Sequence, residues 1–152
     1  MGFDERNKKV ERPKKIAVMD AVAVKWFGEE EFTRQALGVI EDYESQYVDI
    51  RSMQSTPFEV LNALRYSPEL GETEIEKAAD ALSRLRIALY PVLGDLKELC
   101  MKAAFKHGLS VYDASYLSLS RLLNSNLYTA DERFIAKTKG EGTVRHIREY
   151  PA

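Results

Sequence analysis

Residues 16–20, Ile16-Ala-Val-Met-Asp20, are a short continuous apolar run that stops on an acid. Such a run, with no polar alternation, is the pattern of a strand buried on both faces, as in a parallel sheet covered by helices on either side. The chain around it alternates between the two periods. Phe32, Ala36, Val39, Ile40 and Tyr43 recur at helical spacing, which predicts an amphipathic helix over about 29–44, and residues 47–53 are a second strand candidate. Thr56-Pro57-Phe58-Glu59 has the form of a helix start, with Pro57 at the first position and Glu59 closing a Thr-x-x-Glu capping box; Thr73 to Glu76 repeats the box.

A short extended piece over 90–93 and a helix ending near Gly108 come next. A helix follows with Asp113 at its start and Tyr112, Tyr116, Leu119 and Leu123 as its stripe. Residues 126–130 are a further strand closed by Asp131, a short helix runs to about Lys137, and residues 143–147 form a last edge strand. Alternating strands and helices predict an α/β three-layer sandwich, a mainly parallel central sheet flanked by helices.

Composition narrows the chemistry. The single cysteine, Cys100, excludes an internal disulfide and a cysteine-rich zinc site, and His107 and His146 are too far apart in sequence for a local ligand pair. Carboxylates are therefore the abundant ligand type. No apolar run reaches the ~20 residues of a membrane span, and the N-terminus is polar rather than signal-like, so a cytoplasmic location without membrane contact is expected. A net charge of −2 gives no global attraction to nucleic acid, but residues 6–15, RNKKVERPKK, are locally basic. The division expected is a basic N-terminal arm over 1–14 and one domain over 15–150.

In a parallel sheet, ligands bind where the strands end and the returning helices begin. Asp20 ends the first strand, Glu59 lies in the first turn after the second, Asp113 starts the helix leading to the fourth, and Asp131 ends that strand. Taken singly, three of these acids have the bland reading of helix caps. Four acids in one crevice repel each other unless protonated or bridged by a cation, and an all-oxygen set suits Mg²⁺ or Mn²⁺.

Val18-Met-Asp20 with Val22-Ala-Val-Lys-Trp-Phe27, Pro57-Phe-Glu59-Val-Leu-Asn62, Tyr112-Asp-Ala-Ser-Tyr-Leu117 and Thr129-Ala-Asp-Glu-Arg133 stand in the order and spacing of the PIN-domain nucleases. Over roughly residues 15–148 the chain resembles that family, and within it the VapC-type toxin branch. The resemblance implies a PIN-like fold and a Mg²⁺- or Mn²⁺-dependent endoribonuclease, usually homodimeric, paired with a VapB-type antitoxin. It makes Asp20, Glu59, Asp113 and Asp131 the catalytic and metal-holding acids and Thr129 the hydroxyl that supports the last of them; the site expected around them adds Asn62 in support and Lys25 or Arg133 contacting phosphate. One position departs from the pattern: Val22 stands where the family usually carries a small hydroxyl residue. That departure motivates the alternative, a weakly active or inactive PIN-like scaffold that binds RNA or a protein partner. An aspartyl-phosphate phosphatase would need a second Asp at the same position, and no glycine-rich phosphate loop or Gly-x-Ser-x-Gly elbow is present.

Overall fold

The structure, a computed structural model, describes residues 14–151. The expected arm, residues 1–14, lies outside them except for Lys14. The opening apolar run becomes β1, Lys15–Met19, the central strand of a five-stranded sheet ordered β3-β2-β1-β4-β5. β2 is Val48–Met53, β3 Ala88–Tyr90, β4 Asn126–Thr129 and β5 Val144–His146. All four strand pairs are parallel, and Ala17 pairs with Ile50 on one side and Asn126 on the other.

Side chains alternate across β1 as the pleat requires. Ala17 and Met19 join Val48 and Ile50 in a core covered by a 3-10 segment, Ala21–Phe27, and by helices α1 (Thr33–Glu44), α2 (Thr56–Arg65) and α3 (Glu72–Leu85). Val18, Met53 and Leu127 point to the opposite core, under α4 (Gly94–His107), α5 (Val111–Leu122) and α6 (Glu132–Lys137). Val18, Leu117, Leu119 and Leu127 have no exposed surface. Each such side chain contributes about 1.5–3 kcal/mol on leaving water. Cys100 is also wholly buried, as a core residue.

Several local expectations move. The extended piece placed at 90–93 is in fact β3, which starts at Ala88 and ends at Tyr90, because Pro91 follows Tyr90 and has no N–H to continue a ladder. The first helix begins at Thr33, since Phe32 takes a left-handed φ of 66° and its ring packs edge-on against His146 at 4.9 Å. The capping box expected at Thr73 does not form; the N-cap falls two residues earlier at Gly71, which has no side chain to cap with, and Glu74 Oε2 accepts the Gly71 N–H at 3.0 Å. Gly108 ends α4 at φ 63°, a conformation that favours glycine.

The order of strands determines where a ligand can sit. From β1 the chain adds β2 and β3 on one side, then returns to add β4 and β5 on the other. The sequence order reverses between β1 and β4, and the crevice outside the C-terminal ends at such a reversal is the usual ligand site of an open α/β sheet.

Candidate active site

Asp20 follows β1 immediately at that crevice, and its Oδ1 accepts the Val22 N–H at 2.7 Å, capping the 3-10 segment. A side-chain hydroxyl is not required at position 22 for this contact, because the backbone supplies the donor. The valine itself is 5% exposed and packs into the core. Asp131 follows β4 and caps α6, its Oδ1 accepting the N–H groups of Arg133 (3.0 Å) and Phe134 (3.1 Å). Between these two acids lies Thr129, fully buried. Its Oγ1 accepts the Asp131 N–H at 3.1 Å, and its hydroxyl hydrogen bond favours the ionised form of Asp20.

The two remaining acids are held differently. Glu59 lies in the first turn of α2 but closes no capping box with Thr56. Thr56 Oγ1 turns into the core instead, 2.6 Å from Ser52 Oγ and 2.8 Å from the Tyr116 hydroxyl. Glu59 Oε2 accepts from Ser55 Oγ at 3.1 Å and from the Tyr116 hydroxyl. Asp113 is not the cap of α5 either. Ser110 is the N-cap, its Oγ accepting the Asp113 N–H at 3.1 Å, which leaves the Asp113 carboxylate at the third helical position.

The acids sense one another. Burial, augmented by the charges of Asp113 and Glu59, outweighs the Thr129 and Val22 hydrogen bonds and pushes the Asp20 carboxyl up to about 7. Asp113 is also raised, first by burial and then by the charge of Asp131, against the Ser110 hydrogen bond and the attraction of Lys137. Lys137, whose Nζ donates to Gly108 O at 3.1 Å, is a cation of this edge that sequence spacing did not single out, since it lies at the far end of α6. Of the two cations that were singled out, Lys25 is bound to Glu30 at 3.0 Å, and Arg133 is exposed beside Asp131. Asn62 lies one turn beyond Glu59 on α2 and is exposed.

Among the described residues, no group of three or more acids, histidines or cysteines stands close enough together to hold a metal ion. The donor chemistry nevertheless fits a hard divalent cation. The set is all carboxylate, Asp20 is destabilised in its charged form first by burial and then by its acidic neighbours, and Mg²⁺ sites use few carboxylates and retain several waters.

The family model of the PIN domain matches residues 21–140. The chain belongs to the PIN-domain family. This PIN domain is 36% identical over 73 residues to Ribonuclease VapC9 of Mycobacterium tuberculosis, a match that covers 48% of this chain and 55% of that protein. The chain thus spans about half the length of the curated relatives it matches. The structure of PAE2754 from Pyrobaculum aerophilum superposes with a TM-score of 0.59 at 24% identity, over 88% of this chain and 90% of the other. VapBC-5 from Mycobacterium tuberculosis, described as a member of the VapBC family of toxin-antitoxin systems, superposes with a TM-score of 0.53 at 16% identity, over 86% and 96%. These superpositions establish the PIN-like fold. The match to the family model begins one residue after Asp20, which the fold itself brings to the same edge as the other three acids.

Proposed function

We propose that this PIN domain is a Mg²⁺- or Mn²⁺-dependent endoribonuclease and the toxin of a toxin–antitoxin pair. The observation that carries the reading is a buried acid set among other acids: Asp20 is held at the sheet's switch point with its carboxyl raised to about 7, first by burial and then, to a smaller degree, by the charges of Asp113 and Glu59. A site that served only to cap helices has no need of this arrangement, whereas a cation site uses it. Asp20, Asp113 and Asp131 would face the ion with bound waters completing its shell, since among the described residues no three acids stand close enough to hold it by themselves. Glu59 would face a second ion or orient the attacking water. When bound, the ion polarises the phosphodiester and makes water a nucleophile at neutral pH. The chain's own contribution is placement. The caps at Asp20 and Asp131 occupy Oδ1 of each, and Thr129 ties the two strand ends together. Lys137, whose charge reaches Asp113, would meet a phosphate at these acids together with the exposed Arg133, while Lys25 is engaged by Glu30.

The similarity to a VapC ribonuclease and the fold shared with a VapBC toxin-antitoxin protein support the choice of RNA and of a VapB-type antitoxin. An apolar cavity of about 280 Å³, lined in part by Met19, Trp26, Ile50, Leu61 and Leu82, opens between the 3-10 segment, α2 and α3. A groove of that character accepts the apolar face of a partner helix. Homodimer formation and a cytoplasmic setting belong to the same proposal; no helix among the described residues is long and apolar enough to cross a membrane. Labelled RNA incubated with the chain should be cut with Mg²⁺ or Mn²⁺, leave a 5′-phosphate, and survive intact with chelator. Cleavage that persists after exhaustive chelation removes the metal mechanism, and no cleavage under any metal favours the scaffold.

A further inference from the structure

Tyr116 reads from sequence as a core aromatic, and it is 2% exposed. Its hydroxyl, however, joins a buried polar chain that crosses the sheet. Ser52 Oγ on β2 donates to the carbonyl of Met19, the residue before Asp20; it meets Thr56 Oγ1 at 2.6 Å; Thr56 meets the Tyr116 hydroxyl at 2.8 Å; and that hydroxyl donates to Glu59 Oε2. Ser55 Oγ donates to the same oxygen. Both donors thus fall on Oε2, and among the described residues no donor reaches Oε1. The direction of the Tyr116 hydrogen bond is stable against pH, because burial and the adjacent Glu59 raise the phenol far above its ordinary value and keep it an O–H donor.

We infer that Tyr116 is a positioning residue: with Ser55 it holds Glu59 by Oε2, so that Oε1 alone faces the crevice as a one-oxygen ligand or water acceptor. The inference rests on the nuclease reading for its consequence, but its geometry stands apart from it. Buried polar groups must be satisfied, and a tyrosine hydroxyl in a core could have ended on any backbone carbonyl. Here it ends on an acid of the candidate site, 57 residues away in sequence.

Tyr116→Phe keeps the ring and removes the hydroxyl, while Thr56 keeps Ser52 and the Met53 N–H as partners. With Mg²⁺ and labelled RNA, the single-turnover rate should fall about 10–100-fold with KM within about twofold of wild type, as for other residues that orient a metal-site carboxylate. In a Glu59→Ala background the same change should alter the rate by less than about twofold. Ser55→Ala leaves the core intact and should cost less, about 2–5-fold, by the same outer-shell argument. A Tyr116→Phe rate equal to wild type overturns the inference, as does an equal loss in both backgrounds, which would mark a purely structural effect. Metal-free melts of wild type, Tyr116→Phe, Glu59→Ala and the double variant separate the two readings. If wild type cuts no RNA, the nuclease reading fails, yet non-additive melting shifts for Tyr116→Phe and Glu59→Ala still support the tether and additive shifts overturn it.

Discussion

The strand-end acids, Asp20 and Asp131, and the helix-start acids, Glu59 and Asp113, occupy one edge of the sheet but are secured by different physics. Asp20 and Asp131 are gripped by backbone N–H groups two or three residues ahead. Those backbone contacts are local, and Asp20 alone of the two adds a distant partner, the Thr129 hydroxyl of β4. Glu59 and Asp113 are steadied by hydroxyls, those of Ser55, Tyr116 and Ser110, and Tyr116 comes from another element. The strand-end pair should therefore tolerate changes in the surrounding core, while the helix-start pair should respond to single hydroxyl deletions.

Asp20→Asn gives the largest effect expected. As a proposed ion-holding residue it should lower RNA cleavage by more than the hundredfold that outer-shell changes cost, or about 10²-fold at least. It should also change the pH profile of metal-free stability. The folded chain holds the Asp20 proton up to about pH 7, whereas the unfolded chain releases it near 3.8. Between those values the folded state binds more protons, so stability falls as pH rises and levels off above about 7. Melts in chelator from pH 4 to 8 should show that decline in wild type and a flatter profile in Asp20→Asn. An unchanged slope would mean that the conflict at Asp20 is not felt by the fold.

Ser110→Ala is a smaller perturbation, confined to the helix-start pair. Loss of the α5 cap should cost about 1 kcal/mol in chemical denaturation. Asp131→Asn is smaller still in stability, because an amide oxygen can replace Oδ1 as the cap; a change of a few tenths of a kcal/mol is expected alongside a large loss of cleavage. Asp131→Ala, by contrast, should lose both. If Asp131→Asn and Asp131→Ala destabilise equally, the backbone grip that distinguishes the strand-end acids is not there.

Much of this edge was legible without coordinates. The run before Asp20 has one reading, a doubly buried strand, and once the sheet is parallel the positions after β1 and β4 must share an edge. Gly108 as a helix terminator is equally local. One misreading comes from a partner distant in sequence. Thr56 and Glu59 have the spacing of a capping box, but Ser52 and Tyr116 draw the Thr56 hydroxyl inward and Tyr116 takes Glu59. Neither partner is visible in a window of four residues. Asp113 has the look of a cap because it is an acid at a helix start, yet Ser110, three residues earlier, fills that place. The 3-10 segment after Asp20 was not foreseen as an element, since Ala-Val-Ala-Val-Lys-Trp-Phe is apolar at nearly every position and carries no period.

The central claim is that these four carboxylates act together as a cation site, and Asp113→Asn tests it most directly because Asp113 is not the cap of its helix. Thermal melts of wild type and variant, each with chelator and with Mg²⁺ or Mn²⁺, are the measurement. Without metal the variant should be as stable as wild type or more stable, by on the order of 1 kcal/mol at most, since a repelling charge has gone. With the ion at a hundredfold excess over Kd, wild type should gain about 2.7 kcal/mol and the variant far less. Equal metal-induced shifts in the two proteins would contradict the account, for Asp113 would then be an acid at a helix start with no part in holding an ion.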